Sequence, residues 1–170
     1  VFEVDADGHY TSFAVKQAAA AEHPTLRRHR LGIGLYAGED TLTRQDYIEI
    51  DVAGELTEVP ELVGRQQPDL LLLNDEDHAY AKIRLDERSL ETAIAHLADI
   101  ADPLARSLVW GAAWDQTRDA ESAASDYIDL VLGNIGRETE STTVRTTLAQ
   151  VQQASAQYVA PATRVGARTK

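Results

Sequence analysis

The chain has 170 residues, enough for one ordinary domain or two small ones, and its 44% hydrophobic and 26% charged residues are the proportions of a soluble globular protein. A net charge of −12 repels phosphate backbones and anionic bilayers, so neither nucleic acid nor a membrane is expected as a partner. The absence of cysteine excludes a disulfide framework and any thiolate metal site; with no leader sequence and no apolar run near the ~18 residues of a membrane span, a cytoplasmic location is expected.

The first half alternates with a period of two. Phe2, Val4 and Ala6 are separated by Glu3 and Asp5; Asp7-Gly8 offers a turn, and Tyr10 to Val15 resumes the pattern, so a hairpin is predicted across Ala6 to His9. Because no methionine occurs and Val1 to Val4 already reads as a strand, the chain is expected to begin inside a longer one. Leu31 to Tyr36 follows a basic stretch, Arg27-Arg28-His29-Arg30. Tyr47 to Val52 alternates again, Gly54 turns, and Leu56 to Leu62 is a shorter strand broken by Pro60. Leu70-Leu71-Leu72-Leu73 is a continuous apolar run, as in a strand covered on both faces. Asn74 to Asp77 reads as a turn and Ala79 to Leu85 as a returning strand, making Leu70 to Asp86 a hairpin. Roughly seven short strands result, the pattern of an antiparallel β-sandwich.

The period changes at Asp86. Ser89 is the expected N-cap of a helix carrying Leu90, Ile94, Leu97 and Ala101. Asp102-Pro103 marks the next start, with Asp at the cap and Pro at the first position. Leu104, Leu108, Val109, Ala112 and Ala113 make that helix apolar around much of its girth, so it should lie between neighbours. Trp110 and Trp114 form a second stripe. A third helix carries Ala124, Tyr127, Ile128, Val131 and Ile135; a fourth carries Val144, Leu148, Val151, Ser155 and Tyr158 and is stopped by Pro161. The tail beyond, with Arg164, Arg168 and Lys170, has no pattern. Strands followed by helices predict an α+β fold by segregation: an antiparallel β-sandwich over 1–88, a helical array over 89–160, and a loose tail over 161–170. Charge follows the same division, −9 over residues 1–88 and −3 over 89–170.

The residues offer little chemistry. None of His9, His23, His29, His78 and His96 belongs to H-E-x-x-H, where two imidazoles one turn apart grip a zinc ion. Asp5, Asp7 and Gly8 resemble the start of a calcium loop, but the twelfth position is Lys16 rather than Glu, and a hairpin turn is the better reading. Asp75-Glu76-Asp77 presents three carboxylates in a turn, more simply read as solvated than as a cation site. Gly32-Ile33-Gly34 sits inside a strand and opens no helix, so it is not a phosphate loop. Asp115, Arg118 and Asp119 are best read as helix-surface ion pairs. No catalytic, cofactor-binding or metal-ligating residue is therefore assigned.

Two runs carry a resemblance. Leu73-Asn74-Asp75-Glu76-Asp77-His78-Ala79-Tyr80-Ala81-Lys82-Ile83-Arg84-Leu85-Asp86 and the stretch from Asp102-Pro103-Leu104-Ala105-Arg106 through Trp110-Gly111-Ala112-Ala113-Trp114 to Glu121 resemble the actinobacterial branch of the aminopeptidase N family, the large gluzincin zinc aminopeptidases. Phe2 to Gly8 and His23-Pro24-Thr25-Leu26-Arg27 resemble the same proteins in the same order. In that family a catalytic domain holds the zinc motif and an amine-reading G-x-M-E-N loop, a small β-sandwich follows, and a helical domain caps the active site. The resemblance implies that this chain is the sandwich plus the first cap helices. Its partners would be the catalytic domain and the remaining helical domain, with zinc held by the parent enzyme and none here. The alternative is a free-standing β-sandwich binding module with a helical appendage. Cut from a larger cap, the helices would expose at least one of Trp110 and Trp114, or self-associate.

Overall fold

A computed structural model describes residues 1–38, 41–162 and 166. Among them the elements run β1 (Phe2–Val4), β2 (Tyr10–Lys16), β3 (His29–Ala37), β4 (Thr43–Val52), β5 (Leu56–Glu58), β6 (Leu70–Asp75), α1 (Glu87–His96), α2 (Pro103–Arg118), α3 (Ala124–Asn134) and α4 (Ser141–Gln153). The fold is α+β, with strands first and helices after. Arg164, Arg168 and Lys170 of the expected loose tail lie outside the described residues.

The strands form two three-stranded antiparallel sheets, β1-β2-β5 and β4-β3-β6. The first hairpin is as the alternation predicts, with Phe2 opposite Phe13. Its turn is closed by Asp5, whose Oδ1 accepts from the amides of Asp7 (3.0 Å) and His9 (2.8 Å), while Gly8 takes a φ of +83°. Asp5 is thus a turn residue, and those backbone amides, His9's foremost, hold its carboxyl below the usual range.

The two sheets share one core: Tyr10, Phe13 and Val15 meet Leu31, Ile33, Leu35, Ile50 and Val52. The opposite face of β4-β3-β6 packs on the helices. The leucine run of β6 explains how, because alternate side chains leave a strand on opposite faces. Leu71 joins the sheet-sheet core, whereas Leu70 and Leu72 join Val109, Trp110, Tyr127 and Leu130 in the helical core. The expectation of a strand covered on both sides is met.

Three expectations about the strands and the first helix cap are corrected. Residues 79–85 form no strand, so six strands are described rather than seven and Leu70 to Asp86 is not a hairpin. The reason is the turn: Asn74, Glu76 and Asp77 all take positive φ (58°, 70° and 55°), which swings the chain out of the sheet. β6 pairs with β3 instead. The strand expected over Leu56 to Leu62 stops at Glu58, and Pro60 opens a 3-10 turn. Finally, the N-cap of α1 is Asp86 rather than Ser89. Asp86 Oδ1 accepts from the Ser89 amide (3.2 Å), and the Ser89 hydroxyl donates to Asp86 Oδ2 (2.5 Å) while accepting from the Leu71 amide (2.9 Å). Ser89 therefore occupies a free amide on the outer edge of β6. Thr92 binds the Asp69 carbonyl nearby (2.7 Å), so α1 covers an edge that would otherwise be open.

Asp102 caps α2 as expected, accepting from Leu104 N (2.9 Å), and Pro103 opens the helix. Leu104, Gly111 and Arg118 are exposed along one narrow face, with Ser107, Leu108 and Asp115 half-buried beside it; most of the remaining helix is buried. The expectation of an exposed tryptophan is overturned: Trp110 is 3% exposed and Trp114 8%. Trp114 lies against Tyr127 and Tyr158, with ring centroids 5.3 and 6.0 Å away, and Trp110 Nε1 donates to Glu138 (3.2 Å). The second stripe of α2 thus finds its partners within the four helices and the π turn at Ala154–Tyr158.

Candidate functional site

The end of β6 and the turn after it hold two of the buried polar side chains, Asn74 and Asp75. Asp75 has no solvent exposure. Its Oδ2 accepts from the Tyr36 hydroxyl (2.9 Å) and from Arg44 Nη1 (3.1 Å), which also binds Glu76 (2.8 Å). Glu76 and Asp75 raise the Arg44 guanidinium, while burial first and the Asp75 charge second raise the Tyr36 phenol. Asp75 and Glu76 are therefore occupied by the chain's own cation. Asn74 completes the turn: its side chain accepts from the Ala79 amide (2.8 Å) and donates to the Ala79 carbonyl (2.8 Å).

The Gly32-Ile33-Gly34 motif has its reason here. A Cβ on Gly32 would come within 2.6 Å of the Asp75 carbonyl and the Tyr47 hydroxyl; one on Gly34 would collide with the Asp75 carboxylate and come within 2.7 Å of the Tyr36 ring. Gly34 clears the space that the buried carboxylate fills, and Gly32 the space for the Tyr47 side chain and the Asp75 carbonyl. Paired glycines inside a strand are the sequence signal for such a close approach, and sequence reasoning missed it. Gly34→Ala should cost about 1–3 kcal/mol by overpacking. Gly111→Ala, at an open position of α2, should instead stabilise by about 0.5–1 kcal/mol. Urea denaturation of both variants checks the contrast.

From Ala79 the chain runs as an irregular strap to α1. Lys82 and Arg84 both reach Asp119 (2.8 and 2.6 Å), Arg84 also pairs with Glu121, and Gln116 holds both the amide and the carbonyl of Leu85 (3.0 Å each). Lys82 and Arg84 hold the Asp119 carboxyl below its ordinary range. Arg118 pairs with Asp115 (3.0 Å) and, more loosely, with Asp119 (3.9 Å), as expected of a helix surface, and Asp119 serves the strap as well. Tyr80, in the middle of the strap, is fully exposed.

A second buried ionic group ties the helices together. Arg106 binds both oxygens of Glu138 (3.0 and 2.8 Å) and the carbonyls of Ile100 and Ala101 (2.9 and 3.0 Å). Arg106, opposed by burial and assisted by the amides of Thr139 and Glu140, holds the Glu138 carboxyl at about 2.

The histidines are not brought together. His9 stands beside Asp5 (3.6 Å), His78 beside the Tyr47 hydroxyl (3.2 Å), and His96 beside Asp99 (3.2 Å). His29 begins β3, and His23 lies in the exposed stretch before it. Among the described residues no three His, Asp or Glu side chains surround a common point. The described helices include none long and apolar enough to cross a membrane. The described surface also has concavities. One, about 290 Å3, lies between Tyr36, Leu42, Arg44 and the Ile100–Asp102 stretch. Another, about 530 Å3, is a groove on the β1-β2-β5 sheet walled by Val1, Phe2, Phe13, Leu56, Pro60 and Val63.

Comparison with known proteins bears on what such an arrangement is for. Residues 70–169 match the family model described as the ERAP1-like C-terminal domain. Over 176 aligned positions the chain is 49% identical to a protein of Streptomyces lividans named aminopeptidase N. The match takes in 99% of this chain but only 20% of that protein.

Proposed function

Since the chain belongs to the family of ERAP1-like C-terminal domains, we propose that it is a non-catalytic interdomain segment of a zinc aminopeptidase that removes N-terminal residues from peptides. The observation that carries this reading is the 49% identity over essentially the whole chain to one fifth of an aminopeptidase N. The internal chemistry agrees with it. Asp75, Arg106 and Glu138, the charged groups most deeply placed, are each matched by an oppositely charged side chain. Such groups fix geometry; they are not positioned to act on a substrate.

In this reading the two stacked sheets are the β-sandwich of the parent enzyme, residues 1–88, and the helices from residue 89 begin its cap. Zinc and the groups that read a peptide's terminal amine belong to the rest of the parent, as do the partners, its catalytic domain and further cap helices. Cytoplasmic residence is part of the same proposal, consistent with the absence of cysteine.

The test is a replacement. Streptomyces lividans aminopeptidase N, with its matching segment exchanged for this chain, should hydrolyse aminoacyl chromogenic substrates. The same protein lacking the segment should not, and the purified 170-residue chain supplied with zinc should show no chelator-sensitive turnover. A folded but inactive chimera, or turnover by the isolated chain, would overturn the reading.

A further inference from the structure

We infer that Tyr80 is the aromatic anchor by which this segment seats against the remainder of an aminopeptidase chain, an inference that rests on the reading just given and names the contact residue. Tyr80 is 106% exposed, more than any other large hydrophobic side chain described, the next being Val1 at 66%. Such exposure in a tyrosine would be unremarkable on a floppy loop, but the backbone around it is fixed. On one side the Asn74 side chain grips the amide and carbonyl of Ala79, which is itself buried. On the other, Lys82 and Arg84 are tied to Asp119 and Leu85 to Gln116. A clamped strap presenting a free ring has already lost the conformational entropy that association usually costs, and tyrosine is among the residues that dominate interface energetics.

The neighbours indicate the partner's chemistry. Ala81 is exposed and small, leaving room beside the ring. Asp77 is exposed, and among the described residues no basic side chain lies within ion-pair reach of it. The complementary surface is an apolar slot that accepts the ring, offers a hydrogen-bond partner to the hydroxyl, and carries a basic group facing Asp77. The occupant is the remaining four fifths of the parent, because the relative that shares 49% identity with nearly all of this chain is covered only to 20% of its length. Tyr158, the other exposed tyrosine within the helices, already packs on Trp114 and is not available in this way.

The experiment uses the active chimera and the 170-residue chain side by side. A photoreactive phenylalanine analogue placed at position 80 of the chimera should cross-link to sequence outside this segment, as read by mass spectrometry. Tyr80→Ala should speed thermal inactivation of the chimera roughly tenfold or more, the size of a hot-spot truncation, with Tyr80→Phe between the two. The same Tyr80→Ala substitution should leave the melting of the isolated chain unchanged. Cross-links confined to the segment, or an equal effect of Tyr80→Ala in both contexts, would overturn the inference while activity of the chimera left the proposed function standing. An inactive wild-type chimera would count against both. A dimer of the isolated chain, seen by light scattering and lost in Tyr80→Ala, would assign the ring to a second copy and overturn it as well.

Discussion

Leu72→Asp is expected to abolish folding of the chain. Leu72 has no solvent exposure and faces the helices from the middle of β6. Removing its side chain alone would cost about 2–5 kcal/mol through lost transfer energy and the cavity left behind. The carboxylate adds the desolvation of a charge with no partner, again several kcal/mol. A domain of this size has about 5–15 kcal/mol in total, so the sum reaches its whole stability. Soluble yield and far-ultraviolet circular dichroism decide: a soluble variant that melts like the wild type would show that β6 is not the wall between the two cores. Leu73→Asp, at a partly buried position of the same strand, should be milder and separates burial from a general intolerance of charge in the run.

Arg106→Ala should be the next most damaging change, at about 3–5 kcal/mol in urea denaturation. The guanidinium is 9% exposed and the Glu138 side chain 2%, so the substitution strands a buried carboxylate and frees two carbonyls. Arg106→Met combined with Glu138→Leu should recover most of the loss, because replacing both partners with apolar groups removes the uncompensated charge. A single Arg106→Ala as mild as the double variant would mean that the pair contributes little. The same pair sets an acid limit. Glu138 titrates at about 2 when folded, below its ordinary 4.5. A depressed carboxylate stabilises above its unfolded value, so its contribution, roughly 3 kcal/mol, is complete above pH 5 and is lost between pH 4.5 and 2. Stability measured across that window should fall in the wild type and fall less steeply in the double variant, where Asp5 and Asp119 still titrate below their ordinary range.

What the sequence disclosed was the part governed by period and by local backbone chemistry. Phe2 to Val15 alternates around an Asp-x-x-Gly turn and forms the hairpin; Asp102-Pro103 starts α2 where a cap and a preset φ require it. What it concealed was decided by contacts distant in the chain. Ala79 to Leu85 alternates as well as any true strand does, but its backbone groups include ones taken by the side chains of Asn74 and Gln116. Ser89 has the composition of a cap, yet its hydroxyl is drawn to the amide of Leu71, eighteen residues earlier. The stripe of Trp110 and Trp114 implied a missing neighbour because a helical wheel cannot show that Glu138, Tyr127 and Tyr158 fold back to supply one. Likewise Asp75 looks as solvated as Glu76 and Asp77 until Arg44, thirty-one residues before it, is found holding its carboxylate in the interior.

The position of β6 bears on how the protein can be divided. The family match begins at Leu70, the first residue of that strand. A fragment excised there would keep the side chains that serve the helices but would lose β3, the sheet neighbour to which β6 is bonded. It would display Leu71 and Leu73 on a bare face together with a row of unsatisfied amides and carbonyls, the template on which strands from different molecules pair. The family model's boundary and mechanical integrity therefore part company at this strand, where the two cores share a wall.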